Sequence, residues 1–282
     1  MTPFPEAAAW LGTAVEAATR GAEAAMRWWR RLEPSEIDEK AANDLVTSAD
    51  RASEAAILEV IRSNHPEHAV LAEESGGAGL DATVPLWIVD PLDGTTNFVH
   101  GVPHWAVSVA VAVGGEPVAG VILDPVKDDL FTAHTGGGAR WNGRPCRVSG
   151  RPGLAGALLT TGFPFKAHDL IDRYLAIFRE AFLRAKAIRR PGAAALDLAY
   201  VAAGLFDGFF EFRLSPWDIA AGAVIVREAG GVVTDLEGGG RFLATGDVLA
   251  APAGVHRELL EVVRSVAAKE TAGSPPGGDP AP

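Results

Sequence analysis

The most informative part of the sequence is WIVDPLDGTTNF, at residues 87–98. The apolar run 86–89 predicts a buried strand that delivers Asp90 at its end, because Pro91 cannot donate to the ladder of a sheet. A turn then brings Asp93 back beside Asp90. The sequence therefore predicts two carboxylates that converge where a buried strand ends.

The residues that follow favour an anion next to these carboxylates. Gly94 permits a close approach of the backbone, and Thr95 with Thr96 predicts the start of a helical turn, whose unpaired N–H groups suit a phosphate. The carboxylates and the Leu92 carbonyl are the oxygen ligands that Mg²⁺ prefers. An ordinary turn capped by aspartates would also account for this pattern.

Two further segments strengthen the metal interpretation. Glu73 and Glu74 follow the apolar run 68–72, which predicts a short strand, and WDIAAG at 217–222 places Asp218 at the start of a helix. A helix N-cap would explain Asp218 without any function. The bulky Trp217 and the small residues after Asp218 indicate a helix that packs closely beside a site.

Composition and charge bound the class of protein. The chain has 282 residues, 48% hydrophobic and 22% charged, which is typical of a globular protein with a substantial core. Its 25 basic and 36 acidic residues give a net charge of −11, so nucleic acid and anionic membranes are not expected as partners. The single cysteine, Cys146, excludes an internal disulfide.

The two ends of the sequence predict neither a signal peptide nor a folded C-terminus. The first apolar stretch contains Glu6 and Glu16 and no basic residue precedes it, so it does not resemble a signal peptide. No apolar run reaches the ~20 residues of a membrane helix, and we expect a cytoplasmic protein without membrane contact. Residues 271–282, rich in Gly, Pro and small polar residues, predict a disordered tail.

The order of elements predicts two halves. The N-terminal half, residues 1–150, begins with a helix over 6–31. A second helix follows the polar turn at Thr47-Ser48 and runs to about Asn64, and Gly114-Gly115 predicts a hairpin between two strands. Residues 76–79 predict a surface loop. The C-terminal half, residues 151–270, alternates strands and helices, so the fold class is α+β or α/β.

These motifs resemble those of the inositol monophosphatase family of metal-dependent phosphomonoesterases. The resemblance is carried by DPLDGTTNF at 90–98, WDIAAG at 217–222, AEES at 72–75 and DLVTSAD at 44–50, and it extends to about Ala268. It implies a layered αβαβα sandwich of the inositol monophosphatase and fructose-1,6-bisphosphatase type. It also implies a homodimer and inhibition by lithium.

The resemblance also implies roles for individual residues. The expected ligands of two to three Mg²⁺ ions are Glu73, Asp90, the Leu92 carbonyl, Asp93 and Asp218. The expected catalytic residues are Asp50, Thr95 and Glu73, of which Asp50 and Thr95 orient and activate the attacking water. The expected substrate contacts are Asp93, Gly94, Thr95, Ala194, Glu211 and Asp218. Crowded carboxylates repel one another in a low-dielectric cleft, which agrees with bound divalent ions.

The implied reaction is the hydrolysis of a small phosphate monoester by metal-activated water, without a covalent phosphoenzyme. Myo-inositol monophosphate is the leading substrate, and histidinol phosphate and fructose 1,6-bisphosphate are the alternatives. A 3′-phosphoadenosine nucleotide fits less well, because relatives of that type carry Lys-Glu where this chain has Thr96-Asn97. Ala193 stands where many members of the family have Ser or Thr. Arg189 and Arg190 could steer an anion, although the resemblance favours Arg189 as a structural ion-pairing residue.

A different class of function remains open. The chain could be a metal-binding scaffold or regulatory protein that keeps the fold without turnover. The joint presence of the catalytic and metal-binding residues argues against this alternative. Phosphate release that Mg²⁺ stimulates would decide between the two.

Overall fold

The strand that carries Asp90 and Asp93 lies inside the larger of two sheets, and helices cover both sheets. The structure, a computed structural model, describes residues 4–41, 44–165 and 167–273. The described helices are α1 (Ala7–Met26), α2 (Ser48–Asn64), α3 (Thr95–Val99), α4 (Ile171–Arg184), α5 (Ala194–Ala202), α6 (Pro216–Glu228), α7 (Phe242–Thr245) and α8 (Ala253–Gly273). The described strands are β1 (Ile37–Ala41), β2 (Asp44–Thr47), β3 (Ala69–Ala72), β4 (Gly76–Gly77), β5 (Leu86–Asp93), β6 (Ala106–Val113), β7 (Glu116–Asp124), β8 (Asp129–His134), β9 (Arg140–Trp141), β10 (Arg144–Pro145), β11 (Leu158–Thr161), β12 (Ala187–Arg189), β13 (Gly208–Glu211), β14 (Val232–Thr234) and β15 (Val248–Ala251).

The described strands form two large sheets and one hairpin. The larger sheet has the order β10-β9-β8-β7-β6-β5-β3-β4, in which β3 and β5 are parallel and the other pairs antiparallel. The smaller sheet has the order β12-β11-β13-β15-β14. Strands β1 and β2 pair only with each other in the described residues. The carboxyl ends of the parallel strands β3 and β5 therefore lie at one edge, which brings Glu73 close to Asp90.

Alternate residues of β5 face different layers of the fold. Trp87 and Val89 pack against α1 and α2, whereas Leu86 and Ile88 pack towards α5 and α6. This alternation follows from the two-residue period of a strand. Because both faces are buried, β5 is apolar at every position before Asp90.

The smaller sheet is covered in the same way. Phe209 of β13 packs with α5 and α6, and its neighbour Phe210 packs with α4 and α8. The layers are therefore α1 and α2, the larger sheet, α5 and α6, the smaller sheet, and α4 and α8. This order confirms the αβαβα sandwich. The division of the chain into halves at residue 150 stays a prediction.

The central helices pack closely enough to require glycine. A Cβ on Gly120 of β7 would lie 2.7 Å from the Ala221 carbonyl oxygen, and a Cβ on Gly222 of α6 would lie 2.5 Å from the Leu198 side chain. Helix α6 therefore rests directly on β7 and on α5. The small residues after Asp218 have the close-packing role that the sequence predicts.

The expected end of β5 at Asp90 is wrong. The strand continues through Pro91 to Asp93, with a shift of register between Asp90 and Asp93. Pro91 is accommodated in this irregularity, where a missing N–H breaks no regular pair. Its carbonyl accepts a hydrogen bond from Ser53 Oγ of α2 at 2.8 Å.

Other boundaries differ from the sequence predictions at a few places. The expected loop over 76–79 contains the short strand β4, which pairs with β3. The hairpin at Gly114-Gly115 is confirmed, with φ angles of 57° and 81° that suit glycine. Helix α1 ends at Met26, five residues before the expected end at Arg31.

The end of the chain extends the last helix. Helix α8 reaches Gly273, so residues 271–273 are helical. The disordered tail predicted from residue 271 stays a prediction. Neither Thr271 nor Ala272 carries a feature that interrupts a helix. The rest of the predicted tail, residues 274–282, lies outside the described residues. In the described part of the chain, no helix has the length and apolar character that crossing a membrane requires.

Candidate active site

Three aspartates from two distant parts of the sequence meet at the end of β5. One carboxylate oxygen from each of Asp90, Asp93 and Asp218 lies within 4.8 Å of the others. Asp90 and Asp93 are 1% and 7% exposed, and Asp218 is half-buried. Carboxylates packed this closely away from water repel one another unless a cation or protonation compensates their charge.

Backbone N–H groups orient two of these carboxylates. Asp90 Oδ1 accepts the N–H of Leu92 at 2.9 Å, within the irregular end of β5. Asp93 Oδ2 accepts the N–H of Ala195 at 2.8 Å, from the first turn of α5. The strand end and the helix start therefore set the directions in which the remaining oxygens point.

Asp218 has a local structural role as well. It is the third residue of α6, and its Oδ2 accepts the N–H of Ser215, the N-cap, at 2.7 Å. This capping box fixes the start of the helix beside the larger sheet, where Ser108 Oγ donates to the Trp217 carbonyl at 3.2 Å. Asp218 thus both caps this helix and belongs to the carboxylate cluster.

The electrostatics of the cluster favour protons or cations. Burial raises the pKa of Asp90 well above its ordinary value, and the charges of Glu73, Asp93 and Asp218 raise it further. Burial also raises the pKa of Asp93 to about 7. The hydrogen bond from the N–H of Ala195 opposes this rise, and the charge of Glu73 adds to it. Glu73 thus lies close enough to act on both aspartates. Four carboxylates and the Leu92 carbonyl form the hard oxygen donor set that fits Mg²⁺.

Buried Asp50 and half-buried Thr95 form a hydrogen-bonded pair next to this cluster. Thr95 Oγ1 lies 3.1 Å from Asp50 Oδ1 and 3.1 Å from the Leu92 carbonyl, and either oxygen can accept its single proton. Asp50 Oδ2 accepts the N–H of Thr47 at 2.8 Å and its hydroxyl at 2.6 Å. Burial raises the pKa of Asp50, and the hydrogen bonds from Thr47 and Thr95 oppose that rise.

The carboxylates open onto a cavity of about 590 Å³. Its lining includes the five expected metal ligands, Gly94 and Thr95 of the expected phosphate site, and Glu211. The other lining residues are Glu39, Leu45, Thr96, Asn97, Phe163, Pro164, Phe165, Ala167, Arg190, Gly192, Phe212, Arg213, Leu214 and Ser215. A cavity of this size is typical of a site for a small molecule.

A family model described as the inositol monophosphatase family matches residues 6–269 of the chain. The chain belongs to the inositol monophosphatase family. The family is one of phosphatases, and the resemblance seen in the sequence motifs is confirmed.

Individual relatives cover almost the whole chain. Nus factor SuhB of Pseudomonas aeruginosa is 49% identical over 259 residues, which are 90% of this chain and 95% of that protein. The extragenic suppressor protein suhB of Bartonella henselae has a solved structure that matches with a TM-score of 0.85 and 41% identity, over 91% of this chain and 98% of that one. The inositol monophosphatase of Anabaena (Nostoc) matches with a TM-score of 0.82 and 39% identity, over 92% and 96% of the two chains.

Most residues that the family resemblance singled out come together in this structure. Asp50 does not line the cavity itself and reaches it through the Thr95 hydroxyl. Ala194 is also absent from the described lining, is 8% exposed, and packs in the core between the two sheets. Its neighbours Arg190 and Gly192 line the cavity instead. The role of Ala194 as a substrate contact stays a prediction.

Gly94 and Glu211 both depend on close packing. Gly94 has a φ of +94°, and a Cβ there would lie 3.2 Å from the His104 carbonyl and 3.3 Å from Ala193 Cβ. A Cβ on Gly162 would collide with the Glu211 carboxylate. Burial raises the pKa of Glu211 to about 8, and the charge of Arg190 opposes that rise.

Sequence reasoning missed the wall formed by Phe163, Phe165 and Arg213. The segment 162–165 follows β11 and carries no charged residue, so no motif marked it. Its position next to the cavity depends on the parallel pairing of β11 with β13, in which Thr161 lies beside Phe210. The residues that follow these two, Gly162 and Glu211, therefore also lie side by side. Arg190 was identified only as a possible anion-steering residue.

A second group of possible metal ligands lies away from this cavity. Ligand atoms of His65, Glu67 and His68 lie within 4.8 Å of one another. However, His68 Nδ1 accepts a hydrogen bond from Trp87 Nε1 at 3.1 Å, which leaves the ring proton on Nε2. A metal ion on His68 Nε2 would have to displace that proton. In metal sites the other ring nitrogen of a histidine usually donates a hydrogen bond, whereas His68 Nδ1 accepts one, so this group suits aromatic packing better than metal binding.

Proposed function

We propose that the protein hydrolyses a small phosphate monoester in a Mg²⁺-dependent reaction, with myo-inositol monophosphate as the preferred substrate and inositol and phosphate as products. The observation that carries this proposal is the convergence of Asp90, Asp93 and Asp218 within 4.8 Å at the wall of a substrate-sized cavity. Membership of a phosphatase family supports it.

The residues that would hold two to three Mg²⁺ ions are Glu73, Asp90, Asp93, Asp218 and the Leu92 carbonyl. Bound Mg²⁺ would lower the pKa of a water molecule and stabilise negative charge on the phosphate and the departing alkoxide. The N–H groups of Leu92 and Ala195 hold two of the carboxylates in fixed directions for this task. We expect lithium to inhibit the enzyme.

The chain itself supplies the path for a proton of the attacking water. With Thr95 donating its hydroxyl proton to Asp50 Oδ1, the Thr95 oxygen is left free to accept a hydrogen bond from water in the cavity. Asp50 can then take up the proton that Thr95 passes on, while Thr47 holds its second oxygen. The transfer needs no covalent bond between the chain and phosphorus. The main-chain groups of Gly94 and Thr95 would hold the phosphate.

A panel of esters tests the reaction and its substrate together. We expect phosphate release from myo-inositol monophosphate that requires Mg²⁺ and exceeds release from histidinol phosphate and fructose 1,6-bisphosphate. A 3′-phosphoadenosine nucleotide should be the poorest substrate. Hydrolysis of histidinol phosphate far above that of inositol phosphate would overturn the substrate assignment but leave the reaction class standing.

A second role is favoured by the relatives, one of which is named Nus factor SuhB at 49% identity. We propose that the chain also acts as a Nus factor, through a protein partner, because its charge of −11 disfavours direct binding of nucleic acid. Complementation of a Pseudomonas aeruginosa strain that lacks its Nus factor SuhB tests this role. Equal complementation by the wild type and Asp93→Asn would separate it from turnover.

We further propose a cytoplasmic homodimer. Large apolar side chains on the outer side of α4 support an interface between copies: Ile171, Leu175, Phe182 and Leu183 are 39%, 48%, 59% and 63% exposed. Exposed apolar side chains grouped on one helix are typical of an interaction surface. Size-exclusion chromatography with light scattering measures the oligomeric state directly.

A further inference from the structure

Two aromatic rings hold the Arg190 side chain at the wall of the cavity. The guanidinium carbon lies 5.6 Å from the centre of the Phe163 ring and 5.2 Å from that of the Phe165 ring. The two rings contact each other edge to face at 5.8 Å. Phe163, Phe165 and Arg190 all line the cavity, so this group is part of its surface.

Stacking on aromatic rings prepares an arginine for binding. A free arginine side chain has many rotamers, whereas a stacked guanidinium keeps its planar set of N–H donors in one orientation. The neighbouring Gly192 leaves room for this orientation, because a Cβ there would lie 2.5 Å from Arg190 Nη1. Within residues 4–41, 44–165 and 167–273, the Arg190 N–H groups make no hydrogen bond or ion pair, so they can donate to a ligand.

The Glu211 carboxylate is a hydrogen-bond acceptor near the Arg190 guanidinium. Its carboxylate lies against Gly162, the residue before Phe163, and it interacts electrostatically with Arg190. Both side chains line the same cavity as the three aspartates. A leaving alcohol with several hydroxyl groups can accept a hydrogen bond from Arg190 and donate one to Glu211. A plain hydrocarbon ring can do neither.

We propose that Arg190, held by Phe163 and Phe165, is a specificity-determining residue that binds hydroxyl groups of the leaving alcohol and selects polyol phosphates. This inference rests on the proposed phosphatase function. It adds a donor to the predicted substrate contacts and explains why the loop after β11 carries two phenylalanines at the cavity wall.

Two esters with the same ring isolate the contribution of Arg190. Myo-inositol 1-phosphate carries hydroxyl groups around the ring, and cyclohexyl phosphate carries none. In the Mg²⁺-loaded enzyme, Arg190→Gln should lower kcat/KM for inositol phosphate about tenfold or more, mainly through KM, since a hydrogen bond to a charged group is lost. The same variant should change kcat/KM for cyclohexyl phosphate less than twofold.

Three further variants sharpen the test. Arg190→Lys keeps the charge without the planar set of donors and should still lose several-fold on inositol phosphate. Phe165→Leu, at a side chain that is 49% exposed, should raise KM for inositol phosphate through loss of the stacking. Arg189→Gln is the matched control, because Arg189 is the exposed preceding residue at the end of β12. This variant should leave the hydrolysis of both esters unchanged.

The outcomes separate this inference from the function on which it rests. Equal losses on both esters in Arg190→Gln, with an unchanged Tm, would show that Arg190 acts on the reaction centre and overturn its role in specificity. Unchanged hydrolysis of inositol phosphate would overturn it as well. Absence of Mg²⁺-dependent phosphate release from every ester by the wild type would overturn the proposed function itself, and the specificity role with it.

Discussion

The backbone N–H of Ala195 donates a hydrogen bond to Asp93 Oδ2 at 2.8 Å, although the two residues are 102 positions apart. The bond joins the end of β5 in the larger sheet to the start of α5 in the layer between the sheets. The same carboxylate has an oxygen within 4.8 Å of oxygens of Asp90 and Asp218. The candidate metal site therefore lies where the two predicted halves of the chain meet.

Asp93→Asn should abolish turnover while the fold is retained. The amide oxygen of asparagine can still accept the N–H of Ala195, but the charge that binds the cation is lost. We expect kcat to fall roughly a thousand-fold, since a bound metal ion contributes several kcal/mol to the transition state. Phosphate release and the thermal unfolding midpoint measure the two effects. Retained activity would remove Asp93 from the mechanism.

Thr95→Ala should reduce kcat by about a hundred-fold, the usual contribution of a group that handles a proton. Thr95→Ser, which keeps the hydroxyl that lies 3.1 Å from Asp50 Oδ1, should stay within tenfold of the wild type. Loss of this hydrogen bond should also cost about 1 kcal/mol of stability. Equal activity of the alanine and serine variants would argue against the hydroxyl relay.

The stability of the metal-free protein should fall as the pH rises. The pKa of Asp93 is raised from 3.8 to about 7 in the folded chain, and the pKa of Asp90 is also raised. Between pH 3.8 and about 7, the folded chain therefore keeps a proton on Asp93 that the unfolded chain has released. Raising the pH therefore favours unfolding. Because Mg²⁺ binds the ionised carboxylates, the increase in Tm with Mg²⁺ should be larger at pH 8 than at pH 6.

Thermal unfolding in chelator and in Mg²⁺, at several pH values, measures both trends. Asp93→Asn is the control, and its metal-free stability should depend less on pH in this range. Metal-free stability that increases from pH 4 to pH 7 would contradict the assignment of raised pKa values to the cluster.

Gly120→Ala should destabilise the centre of the fold by about 1–3 kcal/mol, because the added methyl group would lie 2.7 Å from the Ala221 carbonyl oxygen. Gly12→Ala in α1 is the matched control, since nothing lies within 4 Å of a Cβ at that exposed position. It should stabilise the protein by about 0.5–1 kcal/mol. Chemical denaturation provides the free energy of unfolding for both.

Phe182→Glu should shift the protein from dimer to monomer if the outer side of α4 forms the homodimer interface. The side chain is 59% exposed, so the substitution should leave the monomer folded. Val84→Glu, at an exposed apolar side chain in another region, is the control and should remain dimeric. Light scattering after size-exclusion chromatography measures the mass. A dimeric Phe182→Glu variant would place the interface elsewhere.

Local sequence patterns determined much of this protein. The apolar run before Asp90 marked β5, the glycine pair at 114–115 marked a hairpin, and the small residues after Asp218 marked a closely packed helix. The motifs around Asp50, Glu73, Asp93 and Asp218 also led to the family and to the expected ligands. These features are readable because each depends on a few neighbouring residues.

Only the tertiary structure decided which distant groups share the cavity. Pro91 stays within β5 because the register shifts beside β6, and a pattern within one strand does not show its partner's register. Ala195 reaches Asp93, and Arg190 reaches Phe163 and Phe165, through the packing of layers that are remote in sequence. Such contacts depend on the direction and spacing of whole elements, and for that reason the wall opposite the motifs was not foreseen.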